Sequence, residues 1–396
     1  MINIAILGFG VVGSGVASVI SENADSLSER LCGEKLNVKH ILDLRDFPDH
    51  PLGDRVTKDF DTILSDDEVL IVVETMGGSH PAYDFSKKAL MAGKSVVTSN
   101  KEVVAKFGAE LLSVARENGV SYLFEASVGG GIPIIRPMWQ CLAANRILSV
   151  DGILNGTTNY ILTKMFAEGW SFEDALKKAQ ELGYAEKNPA ADVEGLDTCR
   201  KISILASLAY GSAINPEKVH CEGITEITSE QVAAAEKLGY RIKLLGRCAD
   251  VNGKIYVITA PFLVPCEASI AGIDDVYNGI SVCGNAVGDV MFYGRGAGAL
   301  PTASAVMADV LDVIRDCRKT IGWEAEKEDI YCDYESAVLR LFVCADNKEK
   351  LSEVFPNGEI TENGGKYFVI TEPGTERALK EKASKIDGAK FIRVME

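Results

Sequence analysis

Asp192, Glu194, Asp197 and Lys201 fall inside ten residues, DVEGLDTCRK, and the apolar run ISILASLAY follows at once. Asp197 and Lys201 are one helical turn apart, so their side chains share a face. As an exposed pair they would contribute roughly 0.3–0.5 kcal/mol. Two features weigh against that plain reading. The helix that follows is apolar on nearly every side, which places it in the interior. One or two acids would also be enough to cap it and complement its dipole. Acids gathered around a lysine ammonium suit a different task, delivering a proton to an oxygen that gains charge. A second lysine, Lys101, ends the segment VVTSNK at the tip of a strand. None of the four histidines is as well placed: His80 follows Gly77-Gly78, and the others stand in plain loops or strands.

The elements that must position these groups can be read along the chain. INIAILGFGVVGSGVASVI is an apolar strand, a glycine turn and a helix, with Gly8, Gly10 and Gly13 in the spacing G-x-G-x-x-G. Gly8 permits the turn, Gly10 lets a pyrophosphate approach the backbone, and Gly13 lets helix and strand pack closely. The helix then offers free N–H groups to phosphate. The next strand, LNVKHILDL, ends near Asp43 to Asp46. An acid there favours the ribose of NAD, and an arginine accepts the 2′-phosphate of NADP. The sequence offers both, as Asp43 and Arg45, which strand alternation puts on one face with Leu44 opposite. That leaves NAD and NADP open.

VLIVVETMGG, PAYDFSKKALMAGK, SVVTSNKEVVA and VSYLFEASVGGGIPII continue an alternation of strand and helix, so the fold class is α/β with a parallel, doubly wound Rossmann-type sheet. Thr75, Asn100, Lys101 and Glu125 stand at or just beyond strand ends, where ligands collect in such sheets. This nucleotide-binding domain spans 1–135 and is completed by a returning helix near 296–316. Residues 136–295 read as an α+β catalytic and dimerisation domain with an open sheet. Its turn signals are Asn252-Gly253 and Gly284-Asn285, with a polar turn at Asn155 to Asn159. A linker at 317–335 leads to a ferredoxin-like βαββαβ tail at 336–396.

Composition excludes several classes. A formal net charge of -16 argues against nucleic acid as partner. No long uncharged apolar stretch predicts a membrane span, and the glycine-broken N-terminus does not read as a signal peptide. Ten cysteines without a C-x-x-C pair predict reduced thiols and a cytoplasmic location.

VVETMGG, ALMAGKSVVTSNKEVVA, GGGIPII, GILNGTTNYIL, GYAEKNPAADVEGLDTCRK and GRGAGALPTASAVMAD occur in one order across residues 1–316. Together they resemble homoserine dehydrogenase, over about four-fifths of the chain. The resemblance implies reversible reduction of L-aspartate 4-semialdehyde to L-homoserine with NADPH or NADH, on the route to threonine and methionine. It implies Lys201 as proton donor and Asp197 as the acid holding substrate and lysine. Glu186 would bind the substrate amino group, Asp192 would line the same pocket, and Lys101 would stand near nicotinamide and substrate. Cofactor contacts fall to Gly8, Phe9, Gly10, Val11, Val12, Gly13, Arg45, Thr75, Lys101 and Gly298. Glu125, Val128, Gly130 and Ile132 match a sodium site built mostly of backbone carbonyls, ligands that suit a hard cation. Ser99 and Cys199 stand where alanine is commoner, with little expected effect. The tail resembles an ACT domain, and its short first helix leaves threonine sensing and oligomerisation as alternatives. The open sheet of the second domain would pair across a dimer, in line with the family's dimeric habit, and homodimer and homotetramer stay open. A fused aspartate kinase is not expected, since the chain opens at the nucleotide fold.

Two rival functions can be weighed against the same residues. A phosphorylating semialdehyde dehydrogenase needs a cysteine nucleophile beside a histidine, yet Cys141 and Cys199 look packed in helices. A non-catalytic NAD(P)-binding regulator would not need Lys101, Glu186, Asp197 and Lys201 together.

Overall fold

The computed structural model describes residues 1–316 and 321–395. Residues 317–320, the start of the expected linker, lie outside the described residues. The chain divides into two compact units: Met1–Asn145 with Ser203–Pro216 and Gly294–Lys327, and Arg146–Ile202 with Glu217–Tyr293 and Glu328–Glu396.

The first unit is built on six strands: β1 (Ile2–Leu7), β2 (Leu36–Leu42), β3 (Val56–Thr57), β4 (Val69–Glu74), β5 (Ser95–Thr98) and β6 (Tyr122–Leu123). All pairings are parallel, in the order β3-β2-β1-β4-β5-β6. The order reverses between β1 and β4, which is where such sheets open a crevice for ligands. Ile4, Ile6, Leu7, Val72 and Val73 are wholly buried, as expected of a sheet covered on both faces. The helices are α1 (Val11–Glu22), α2 (Ala24–Arg30), α3 (Phe60–Leu64), α4 (Ala82–Met91) and α5 (Lys101–Glu117). α5 buries Val103, Val104, Gly108, Leu111, Leu112 and Ala115, an apolar stripe at helical spacing.

The second unit opens with β7 (Ile147–Ile153), α6 (Gly156–Glu168), α7 (Phe172–Glu181), α8 (Ala190–Val193) and the start of α9 (Leu196–Tyr210). There follow β8 (His220–Cys221), α10 (Ser229–Lys237), β9 (Tyr240–Val251), β10 (Lys254–Pro265), β11 (Tyr277–Gly284) and β12 (Gly288–Arg295). The expected turn at Asn252-Gly253 joins β9 to β10, with φ of 54° and 85°. Positive φ at both central residues is what a tight hairpin of this twist demands. The returning helix of the first unit is α11 (Ala299–Arg315).

The tail contains β13 (Val338–Ala345), α12 (Lys348–Val354), β14 (Ile360–Asn363), β15 (Lys366–Ile370), a two-residue β16 (Gly374–Thr375), α13 (Glu376–Ala383) and β17 (Lys390–Val394). Apart from the short β16 it has the βαββαβ order. β17 pairs in parallel with β10, so the tail and the catalytic strands form one sheet, β12-β11-β7-β9-β10-β17-β13-β15-β14. Phe342 and Phe368 of the tail share a core with Tyr160, Leu244 and Leu263.

Three local expectations need correction. β2 stops at Leu42, so Asp43 and Arg45 are not placed by strand alternation. They share a side because Arg45 folds back onto the Asp43 carboxylate. The polar turn at Asn155 to Asn159 is mostly helix: α6 starts at Gly156, and Asn155 is its N-cap. Cys141 is exposed at the end of the short helical segment Pro137–Cys141, whereas Cys199 is buried in α9.

Candidate active site

In the second unit the acids and the lysine come together around one amide. Asn155 follows β7 and caps α6, its side-chain oxygen accepting the Thr158 N–H at 2.9 Å. The cap fixes its rotamer, and its side-chain NH₂ points the other way. That group donates to Asp192 at 2.7 Å and to Asp197 Oδ2 at 2.9 Å. Lys201 Nζ donates to the same Asp197 oxygen at 2.7 Å and to the Leu154 carbonyl at 2.7 Å. Asp197 and Lys201 are both buried. Coulomb attraction across one helical turn is much stronger in such a setting than at a solvated surface. The helix-cap explanation is therefore insufficient: the Asp197 carboxylate is turned onto Lys201 and Asn155.

Glu186 is not part of this cluster. It sits exposed on the loop after α7, and among the described residues its carboxylate has no hydrogen-bond or ion-pair partner. The loop is tethered by the Thr157 hydroxyl, which donates to the Tyr184 carbonyl at 2.6 Å.

In the first unit the three glycines behave as their spacing requires. Gly8 has φ of 86°, and a Cβ there would lie 2.9 Å from the Met76 side chain. A Cβ on Gly13 would lie 2.1 Å from the Gly8 carbonyl oxygen. On Gly10, the N-cap of α1, the nearest atom would be the Arg45 guanidinium at 4.0 Å. Two glycines thus serve packing, and the third leaves the helix end clear for phosphate. Val11 and Val12 form the open first turn of α1, and Val11 is 70% exposed. Phe9 is buried and its N–H is taken by Asp43 at 2.7 Å. Thr75 donates from its hydroxyl to the Gly8 carbonyl at 2.8 Å, and Gly298 caps α11.

Gly8, Gly10, Asp43, Arg45, Lys58, Thr75, Pro81 and Phe85 line a cavity of about 510 Å³ at the β1–β4 switch point. The Arg45 guanidinium holds the Asp43 carboxyl well below the usual carboxylate range. The Arg45 side chain itself stays 62% exposed. Lys58, a second cation on this wall, was not singled out in the sequence, where nothing but fold places it beside Arg45.

Lys101 begins α5, and a buried relay fixes its approach. Glu74 accepts the Met76 N–H at 2.7 Å and the Thr98 hydroxyl at 2.6 Å. Thr98 accepts the Asn100 N–H at 2.9 Å. Asn100 caps α5 and donates to the Gly78 carbonyl at 2.8 Å. Full burial raises the Glu74 carboxyl to about 7.

The glycine cluster after β6 offers oxygen ligands rather than a side-chain cage. Among the described residues no group of three or more His, Cys, Asp or Glu could hold a metal. The Glu125 carboxylate is spent on the N–H groups of Ile134, Ile135 and Arg136, at 2.6 to 2.8 Å. Val128, Gly130 and Ile132 are buried, yet among the described residues no backbone N–H donates to their carbonyls. Buried carbonyl oxygens left in this way fit a hard monovalent cation better than a transition metal.

The sequence relationships agree with this geometry. Residues 133–311 match the family described as homoserine dehydrogenase, and residues 8–125 match its NAD-binding domain. A homoserine dehydrogenase of Synechocystis is 43% identical over 319 residues, 79% of this chain and 73% of that protein. The crystal structure of a homoserine dehydrogenase from Thiobacillus denitrificans superposes with a TM-score of 0.90 at 35% identity, covering 100% of this chain and 98% of that one. A hyperthermophilic archaeal homoserine dehydrogenase solved with NADPH has a TM-score of 0.67 at 29% identity, covering 78% of this chain and 97% of that one. The chain belongs to the homoserine dehydrogenase family, whose members are NAD(P)-dependent oxidoreductases.

Proposed function

We propose that the family reaction, reversible reduction of L-aspartate 4-semialdehyde to L-homoserine, is carried by the cluster around Lys201. The observation that carries the reading is the buried Asp197–Lys201 pair, joined through Asn155 to Asp192. A bound nicotinamide supplies the hydride. As negative charge grows on the aldehyde oxygen, Lys201 stabilises it and then gives it a proton. Asp197 keeps the lysine charged and oriented. Asp192 and Asp197 attract the substrate ammonium, and Glu186 joins them by movement of its exposed loop. Lys101 serves substrate and cofactor from the start of α5.

NADP is the preferred cofactor in this reading. Asp43 already accepts N–H groups from Phe9 and Arg45, so it is poorly placed to accept ribose hydroxyls. Arg45, whose Nη1 is not taken by Asp43, and Lys58, paired with the exposed Asp46, offer two cations to a 2′-phosphate. The NADPH complex of the archaeal relative supports the same choice. Sodium would bind at the carbonyls of Val128, Gly130 and Ile132, with Glu125 bracing the turn.

The chain acts in the cytoplasm as a homodimer or homotetramer; β12 ends the sheet with Met291 and Tyr293 exposed, a ready edge for a second copy. No described helix is long and apolar enough to cross a membrane. The tail either senses threonine or supports oligomerisation. Homoserine-dependent reduction of NADP and of NAD, measured in parallel with and without threonine, tests these points. The expected result is activity favouring NADP. Absence of activity in folded protein refutes the reading, and unchanged activity with threonine assigns the tail to assembly.

A further inference from the structure

Arg393 of β17 is 1% exposed and grips two carboxylates at once. Its two terminal nitrogens donate to both oxygens of Glu222, at 2.7 and 2.9 Å. Its Nε donates to Glu376 of α13 at 2.9 Å. Glu376 is wholly buried and also pairs with Lys380 at 2.8 Å. His220 Nε2 lies 2.5 Å from Glu222 Oε1, an oxygen that Arg393 also reaches, and its ring stacks on Tyr334, centroids 4.1 Å apart. Burial alone would push the Glu222 carboxyl up, but His220 and Arg393 outweigh it and hold it at about 2. A buried cluster of this kind is a poor source of net stability, because desolvation cancels most of the attraction. Its value lies in fixing geometry.

The geometry that it fixes leads to the substrate loop. Glu222 belongs to the segment His220–Ile224, on which the backbone of Val193–Gly195 rests. The Ile224 N–H donates to the Val193 carbonyl at 2.8 Å, and the Cys221 thiol donates to the Glu194 carbonyl at 3.3 Å. A Cβ on Gly223 would stand 2.1 Å from the Val193 oxygen, so the two backbones are in direct contact. A Cβ on Gly195 would stand 3.0 Å from the Glu222 backbone carbonyl oxygen. Val193 to Gly195 lie between Asp192 and Asp197.

We propose that Arg393 is a positioning residue for the substrate acids: the C-terminal tail, through the Arg393–Glu222 fork, sets the Val193–Gly195 loop that joins Asp192 of α8 to Asp197 of α9. This rests on the assignment of those acids to the substrate. It makes the tail part of the active-site scaffold, a role separate from effector sensing and from oligomerisation. Replacing the guanidinium fork by a point charge loosens the loop without touching the nucleotide-binding strands of the first unit.

The test is steady-state kinetics of the full-length Arg393→Lys variant, with folding checked by thermal melting. The homoserine KM rises about tenfold while the cofactor KM stays within about twofold. An unchanged homoserine KM in folded protein overturns the proposal, as does an equal rise in both KM values, which marks a general structural defect. If Arg393→Lys does not fold, Glu222→Gln keeps the volume and weakens the same fork, and the same split in KM is required of it. Lys201→Met run alongside separates the two ideas. Retained turnover there defeats the catalytic assignment, whereas an unchanged homoserine KM in the Arg393 or Glu222 variant defeats the clamp.

Discussion

Asp197 and Lys201 meet across one turn of α9 with carboxylate and ammonium 2.7 Å apart, and the Leu154 carbonyl takes a second N–H of the same ammonium at 2.7 Å. Two acceptors thus aim one buried cation. A proton donor held this way needs no reorganisation when charge appears on a nearby oxygen.

Asn155→Ala removes the hub of this arrangement. Loss of the α6 cap costs about 1 kcal/mol of stability, read as a lower melting temperature. Asp192 and Asp197 also lose the amide that holds them together, so the homoserine KM rises while the cofactor KM does not. An unaltered homoserine KM would show that the acids are ordered by something else.

Arg45→Ala addresses the cofactor. A charge-assisted hydrogen bond to phosphate contributes about 1.5–3 kcal/mol, so kcat/KM with NADP falls roughly 10- to 100-fold. With NAD it stays near its original value, because Asp43 is released from the arginine. A parallel loss with both cofactors would remove Arg45 from discrimination.

Glu74 makes stability depend on pH. Its carboxyl titrates at about 7 when folded against 4.5 for the free group, so the folded state holds the proton more tightly. The associated stability is fully present below pH ~4.5, declines as pH rises towards 7, and is gone above that, a change of about 3 kcal/mol. Glu74→Gln, which cannot ionise, flattens this decline in denaturant titrations and is the more stable form at pH 8. A variant whose pH profile matches the wild type excludes Glu74 as the source.

The parts of the molecule that were legible in the sequence are those governed by local rules. G-x-G-x-x-G announced the β1–α1 turn because each glycine answers a local steric demand. Asn252-Gly253 announced its hairpin because only such residues take positive φ in succession cheaply. The four-residue spacing of Asp197 and Lys201 placed them on one face whatever the tertiary structure.

What stayed hidden depends on long-range contacts. Asn155 read as part of a polar turn, since nothing local reveals that Asp192 and Asp197 lie within reach of its amide. Lys58 carried no signal in the sequence; it shares a cavity wall with Arg45 because β3 pairs with β2. Arg393, near the end of the chain, could not be linked to Glu222 without the parallel pairing of β17 with β10. Glu186 shows the reverse case: the motif singled it out, and the fold leaves it exposed and apart from the other acids.

The most direct measurement compares wild type with Lys201→Met in homoserine-dependent reduction of NADP, followed at the nicotinamide absorbance band, with NADPH affinity measured separately by fluorescence. If Lys201 is the proton-transfer group, kcat falls by about 10²- to 10⁴-fold while NADPH affinity stays within about twofold. A variant that turns over at the wild-type rate would contradict the assignment and leave the Asp197–Lys201 pair as a structural feature of α9.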